Sequence, residues 1–287
     1  MIFLGKMNRL KVSRIGAYDT YLDGGDLGEV MLAKDKLAEP KSDSDRQIGE
    51  TLDVFVYIDA DETVMATTIR PHVLAEECAV LTVTGLSDSG AYLGWGLTSD
   101  LFVPRSEQMG EMAIGSRCVA YAMVDQQSQR MIASTRLYKY LSDENDQNFS
   151  SGQQVELLIC QQTDLGFKAV IDGSFIGLLY NNEIFTKLRV GDSCTGFIKP
   201  ERADKKIDLA LQKIGVQARS EIELKILDYL KRHDGELTLT DKSPPDAIYK
   251  QFGVSKKVYK NALGGLYRNR MIVISKEKVT LAESTGA

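Results

Sequence analysis

Between residues 80 and 134 apolar and polar positions alternate in five short runs. They are Val80-Leu-Thr-Val-Thr84, Ala91-Tyr-Leu-Gly-Trp95, Leu101-Phe-Val103, Arg117-Cys-Val-Ala-Tyr-Ala122 and Arg130-Met-Ile-Ala-Ser134, separated by Gly, Asp and Ser. A period of two, rich in β-branched and aromatic residues and bounded by turn formers, predicts strands. The arrangement recurs on either side. Ile15-Gly-Ala-Tyr-Asp19, Ser89-Gly-Ala-Tyr-Leu93 and Leu165-Gly-Phe-Lys-Ala169 open three units, and Ile48-Gly-Glu-Thr-Leu52, Ile114-Gly-Ser-Arg-Cys118 and Val190-Gly-Asp-Ser-Cys194 follow within them. Gly16 to Gly90 is 74 residues and Gly90 to Gly166 is 76, the spacing of small domains rather than of a solenoid. Five short antiparallel strands per unit predict an OB-type barrel.

After residue 220 the period changes to 3.6. Ser220-Glu-Ile-Glu223 reads as a capping box opening a helix with Ile222, Ile226, Leu227 and Leu230 on its apolar face. A strand at 237–239, a helix from Pro244-Pro245 to Phe252-Gly253, a helix capped by Ser255 and a hairpin of 271–274 and 278–281 complete the order of a winged helix. In the Ser255-capped helix Val258, Tyr259, Ala262, Leu263 and Leu266 form the core side, and Lys257, Lys260, Gly264 and Arg268 the opposite one. An interior glycine costs roughly 1 kcal/mol against alanine. Gly264 either lets a phosphate backbone approach or relieves crowding against a neighbouring domain.

The fold class expected is therefore mainly β: three tandem S1/OB five-stranded barrels, residues 1–71, 72–141 and 142–214, followed by an α+β winged helix, 215–287. The first unit carries a polar insertion at 39–45 and an acidic open turn at 23–26, and reads as structural. Ser142-Asp-Glu-Asn-Asp-Gln-Asn148 predicts a solvated hinge.

Composition keeps the chain in an ordinary globular class: 287 residues, 43% hydrophobic and 26% charged. No run approaches the ~20 apolar residues of a membrane span, and Ile2-Phe-Leu4 is too short for a signal peptide, which predicts a cytoplasmic protein. Cys78, Cys118, Cys160 and Cys194 lack a Cys-x-x-Cys pair and read as core fillers. Neither His72 nor His233 has a nucleophile or ligand near it in sequence. With no Walker loop or nucleophile elbow, no enzyme, metal or cofactor is predicted.

The net charge of −5 conceals an uneven distribution. Lys250, Lys256, Lys257, Lys260, Arg268, Arg270, Lys276 and Lys278 face one acid, Glu277, a local +7 that leaves −12 elsewhere. Residues 187–219, with Lys199, Arg202, Lys205 and Lys206 among eight basic and four acidic residues, carry +4. Such clustering is the footprint of a nucleic-acid binder.

The order Gly-Ala-Tyr, then Gly177-Leu-Leu-Tyr180 or Asp100-Leu-Phe-Val103, then the second glycine, then Asp125…Arg130-Met-Ile-Ala133 or Asp204-Lys-Lys-Ile-Asp-Leu209, resembles the S1 RNA-binding domain. Three of these followed by Ser243-Pro-Pro-Asp-Ala-Ile-Tyr-Lys-Gln-Phe-Gly-Val-Ser-Lys-Lys257 closely resemble the conserved virulence factor B family of bacterial RNA-binding regulators. The resemblance implies a face of aromatics on the second and third strands with a basic residue on the last. By position the second unit offers Tyr92 and Arg130, with Ser89 and Val103 at the other places. The third offers Lys168 and Tyr180 with Lys205 and Lys206. The first offers Tyr18, with Ile15 and Met31, and no basic residue beside Asp61-Glu62. Tyr92, Trp95 and Phe102 serve equally well as packing.

The expectation is a single-stranded RNA-binding regulator, acting on mRNA or ribosome-associated RNA, in which the third barrel and winged helix form one basic surface. Regulation of virulence genes is what the resemblance implies. A winged-helix regulator bound to duplex DNA and a ribosome-associated or protein-interaction scaffold remain the alternatives.

Overall fold

A computed structural model describes residues 1–16, 19–33, 47–146, 148–184, 187–211 and 216–282. Three closed five-stranded barrels and a winged helix account for them. The first barrel uses β1 (Met7–Ile15), β2 (Asp19–Asp23), β3 (Glu29–Ala33), β4 (Thr51–Ile58) and β5 (Val64–Thr67). The second uses β6 (Glu77–Leu86), β7 (Gly90–Gly94), β8 (Leu101–Pro104), β9 (Arg117–Val124) and β10 (Met131–Ser134). The third uses β11 (Gln154–Gln162), β12 (Gly166–Ile171), β13 (Phe175–Tyr180), β14 (Ser193–Ile198) and β15 (Asp208–Ala210). In each the fifth strand lies parallel to the third and antiparallel to the fourth, the closure that removes exposed edges.

The repeat is visible atom by atom. The first strand bulges at Val12/Arg14, Val83/Gly85 and Ile159/Gln161. The amides of Gly49, Gly115 and Gly191 donate to the carbonyls of Val12, Val83 and Ile159, each at 2.8 Å. All three glycines hold φ between 82° and 93°, where a side chain would be strained. Leu52, Cys118 and Cys194 pair with Leu10, Leu81 and Leu157 at equivalent places. Burial pushes the Cys118 thiol up to about 11 and that of Cys160 to about 12. All four cysteines are partly buried and none is in a disulfide.

Two expected registers are corrected. The amides of Gly16, Ser87 and Thr163 donate to the carbonyls of Asp19, Gly90 and Gly166 at 2.7–2.8 Å. Gly16 thus stands where the other units have Ser87 and Thr163, and Asp19 where they have the glycine. The first Gly-Ala-Tyr is three residues out of phase with the others, so Tyr21, not Tyr18, is the counterpart of Tyr92; Tyr18 itself lies outside the described residues. Second, Val103 points into the barrel and is fully buried. Its outward neighbour is Phe102, since alternate residues of a strand face opposite sides.

Residues 1–142 and 143–287 are separate compact units. In the first, one apolar cluster contains the core of the second barrel together with Phe55, Tyr57 and Met65 from the outside of the first. The first barrel's interior is a different cluster, built on Leu10, Val12, Leu22, Val30, Leu32, Val54, Val56 and Ala66. Trp95 lies edge-on to Phe55, 5.6 Å between centroids, and donates its indole N–H to the Ser99 carbonyl at 2.6 Å. The Ala75 amide donates to the Gly5 carbonyl at 2.8 Å, and the Lys6 ammonium meets the Ala75 carbonyl.

In the second unit the third barrel and the winged helix have separate cores. The winged helix comprises α1 (Val216–Arg232), β16 (Glu236–Leu237), α2 (Pro245–Phe252), α3 (Lys256–Arg268), β17 (Ile272–Ile274) and β18 (Val279–Leu281), with strand order β16-β18-β17. The capping box expected at Ser220 falls inside α1. Gln217, Ala218 and Arg219 favour helix and carry it back to Val216. Ile222, Ile226 and Leu230 of α1 meet Tyr259, Leu263 and Leu266 of α3 in the core, and the Tyr259 hydroxyl donates to the Leu239 carbonyl at 2.8 Å.

Candidate nucleic-acid interface

The sequence of α3 dictates its two sides. Ser255 caps it, its hydroxyl oxygen accepting from the Val258 amide at 3.3 Å. Tyr259, Ala262, Leu263 and Leu266 are buried, whereas Lys257, Lys260 and Arg268 are exposed. Gly264 sits among those cations with nothing within 4 Å of where a Cβ would stand. Crowding therefore does not account for it among the described residues. The Arg268 Nε donates to the Gly264 carbonyl at 3.1 Å, which lays the guanidinium stem along this gap. Tyr267, 55% exposed, follows on the next residue and escaped the sequence reading; an aromatic off the core face beside a basic line was its signal.

Lys256 is half-buried at the start of α3, Arg270 follows the helix at φ 56°, and Lys276 is exposed in the wing turn. None of Lys256, Lys257, Lys260, Arg270 and Lys276 has a carboxylate partner among the described residues. Lys278 differs, because it is paired with Glu236 across β16 and β18. An open Gly264 predicts that Gly264→Ala stabilises the winged helix by about 0.5–1 kcal/mol in urea unfolding. Unfolding at lower urea than the parent would mean that the gap is not open.

The third barrel corrects the charge expected of it. Lys199 is held by both oxygens of Glu183 at 3.0 and 3.1 Å, and Arg202 by Asp204 at 2.8 Å and Asp208 at 3.2 Å. Lys205 meets Asp146 at 2.8 Å, and Lys206 meets Asp143 at 2.7 Å and Glu144 at 3.2 Å. Four cations thus meet six carboxylates. The Tyr180 hydroxyl lies within this network, accepting from Arg202 at 2.8 Å and donating to Asp208 at 3.3 Å, with Lys199 5.2 Å from its ring centre. Neighbouring carboxylates raise the pKa of the Lys205 and Lys206 ammoniums, first through their hydrogen bonds to Asp146 and Asp143.

Residues 143–146 are not the solvated hinge expected either. The Asn145 amide donates to the Lys205 carbonyl at 2.9 Å and that of Ile207 to Asp143 at 3.1 Å, so the acidic segment is strapped to the turn before β15. Lys168, half-buried on β12, stands apart from these ion pairs.

The bulges place corresponding outward residues of the three barrels in register. Tyr21, Tyr92 and Lys168 correspond, as do Met31, Phe102 and Leu178, and Met65, Ile132 and Asp208. In the first barrel this side is occupied. Met65 and Tyr57 are buried in the joint with the second barrel, Met31 packs against it, and the Arg14 guanidinium covers the Tyr21 ring at 3.6 Å while pairing with Glu29. In the second barrel Tyr92 and Phe102 are half-buried partners, 5.3 Å between ring centres. Trp95, by contrast, is joint packing, and Arg130 donates to the Ala60 carbonyl in the β4–β5 turn of the first barrel. Sequence placed Arg130 on the binding side, and the structure ties it to the neighbouring barrel.

Among the described residues no three His, Cys, Asp or Glu side chains gather as a metal site. His233 stacks on Tyr229 at 3.9 Å, and among the described residues no helix is long and apolar enough to cross a membrane.

Residues 4–69 match the S1 domain and residues 224–281 the CvfB-like winged helix domain. Conserved virulence factor B of Staphylococcus epidermidis is 25% identical, the alignment covering 92% of this chain and 90% of the relative. That of Staphylococcus saprophyticus is 24% identical over 98% and 95%. The chain is thus similar to conserved virulence factor B over most of its length. An uncharacterized protein of Bacillus subtilis is 26% identical, covering 86% of this chain and 83% of its own. Among solved structures, a Streptococcus pneumoniae multidomain protein with nucleic acid binding domains matches 97% of this chain and 98% of its own at 21% identity and TM-score 0.41. In this conserved virulence factor B relative the S1 match falls on the barrel whose outward side is already covered, and the winged-helix match includes the whole of α3.

Proposed function

We propose that the chain is a non-enzymatic, cytoplasmic protein that binds single-stranded RNA and acts in post-transcriptional control of gene expression. The observation that carries the reading is the exposed line Lys257, Lys260 and Arg268 around the open Gly264, cations without a carboxylate partner among the described residues. Ammonium and guanidinium groups along a side-chain-free gap suit a phosphate backbone, and Tyr267 beside them offers a ring for a base. S1-type and winged-helix domains in one chain support a nucleic-acid partner. The name of the staphylococcal relatives supports a part in virulence.

On this reading the third barrel contributes Lys168, while Lys199, Arg202, Lys205 and Lys206 must exchange carboxylates for phosphate before they join a shared surface with α3. Fluorescence anisotropy with matched single-stranded RNA, single-stranded DNA and duplex DNA at two salt concentrations tests the proposal. Tightest binding to single-stranded RNA, weakening steeply with salt, is expected. Preference for duplex DNA would replace it with major-groove binding by α3, and no binding to any of the three would leave a protein-interaction scaffold.

A further inference from the structure

Each barrel joins its fourth strand to its fifth through a turn in which one residue other than glycine holds a left-handed backbone. These residues are Glu62, Gln129 and Lys205, at φ 60°, 57° and 58°. The turns share a shape and differ in charge. Asp59, Asp61 and Glu62 stand in the first, Asp125 and Arg130 flank the second, and Arg202, Lys205 and Lys206 occupy the third. Among the described residues, only this cationic turn has a second stretch of backbone bridged along it.

That stretch is Asp143-Glu144-Asn145-Asp146. Asp146 meets Lys205, and Asp143 and Glu144 both meet Lys206, so its three carboxylates take up two ammoniums. Asn145 is the anchor. It is buried, accepts from the Phe149 amide at 2.8 Å and donates to the Phe149 carbonyl at 2.9 Å. The Asn145 amide donates to the Lys205 carbonyl and the Ile207 amide to that of Asp143, an antiparallel pairing centred on the bridge of Glu144 with Lys206.

Anchor and charges are held with different strength. The side chains of Asp143, Glu144 and Asp146 remain 56%, 48% and 63% exposed, and ion pairs in water are individually weak and screened by salt. A segment tethered beside its partners compensates by its effective concentration, which is about millimolar for short connections. The lysines can therefore change partners while Asn145 keeps the carboxylates at hand.

We propose that residues 143–146 are a built-in competitor for RNA at the third barrel. Their carboxylates stand where the phosphates of a strand would meet Lys205 and Lys206, and they keep that turn out of the interface until a strand displaces them. The inference rests on the RNA-binding reading above and adds its regulation. Lys257 and Lys260 of α3 have no such cover among the described residues, so α3 engages first and the turn second. The acidic stretch thus lies on the one turn of the three that could otherwise grip a polyanion.

The test uses the full chain and a single-stranded RNA oligonucleotide in anisotropy titrations over a salt series. With Asp143→Asn, Glu144→Gln and Asp146→Asn together, affinity should rise roughly tenfold at low salt. The slope of log affinity against log salt should steepen by about 1.4, two phosphates at roughly 0.7 each. Adding Lys205→Ala and Lys206→Ala to that variant should return the slope to the parent's. Asp146→Asn alone, which leaves the Lys206 pairs intact, should give about half the change; it decides the matter should the triple variant melt early. Removing equal charge from the first barrel, with Asp26→Asn, Asp61→Asn and Glu62→Gln, should leave the slope as it was. A slope steepened as much by that control, or unchanged in both Asp146→Asn and the triple variant, would overturn the competitor and leave the α3 reading standing. No RNA binding by the parent and the triple variant alike would overturn both.

Discussion

A chain carrying Lys257→Ala, Lys260→Ala and Arg268→Ala together is expected to bind single-stranded RNA on the order of 10²-fold more weakly than its parent. Each exposed cation that contacts a phosphate contributes about 1 kcal/mol, and about 3 kcal/mol is some two decades of affinity. The salt slope should fall by about 2, since each phosphate neutralised on a single strand contributes roughly 0.7. Among the described residues Lys257 and Lys260 have no partner to strand, and Arg268 reaches back only to the Gly264 carbonyl, so the variant should melt with the parent. Anisotropy titrations at several salt concentrations read affinity and slope together. Unchanged affinity and unchanged slope would remove α3 from the interface. Matching substitutions of Lys205 and Lys206 supply the contrast: both are already paired with carboxylates, and their loss should change the slope little.

Trp95→Ala should destabilise the unit of residues 1–142 by about 3–5 kcal/mol. The side chain is only 4% exposed, packs edge-on against Phe55 and gives its indole proton to Ser99. Truncation removes that contact and opens a void where Phe55, Tyr57 and Met65 of the first barrel meet the second. A loss of this size lowers the melting temperature by roughly 10 °C. Trp95→Phe should keep most of the ring contact and lose only the hydrogen bond, at about 1 kcal/mol. Calorimetry reads the result. A Trp95→Ala chain melting within a degree or two of the parent would show that the two barrels do not depend on each other.

Much of the architecture was legible because it is local and repeated. The glycine turns at 49, 115 and 191 recur before an apolar run, and the 3.6 period of α3 separates Tyr259, Ala262, Leu263 and Leu266 from Lys257 and Lys260. What escaped depended on register and on distance. Val103 and Phe102 are both apolar, so their composition does not say which one faces inward, and a slip of one residue exchanges the faces of the whole strand. Gly16-Ala-Tyr looked like its two counterparts yet sits three residues out of phase, because the bulge at Val12/Arg14 fixes the pairing. Charge counted along residues 187–219 missed the acids that cancel it. Asp143, Glu144 and Asp146 come from some 60 positions earlier in the chain.

The covered side of the first barrel shows what duplication makes available. A surface shaped to receive flat rings is already an adhesive, and an indole supplied by the next copy is enough to turn it into a gasket. A gene that repeats such a module therefore acquires joints as readily as it acquires grips. Which of the two a given copy becomes is decided by the residues its neighbour extends toward it.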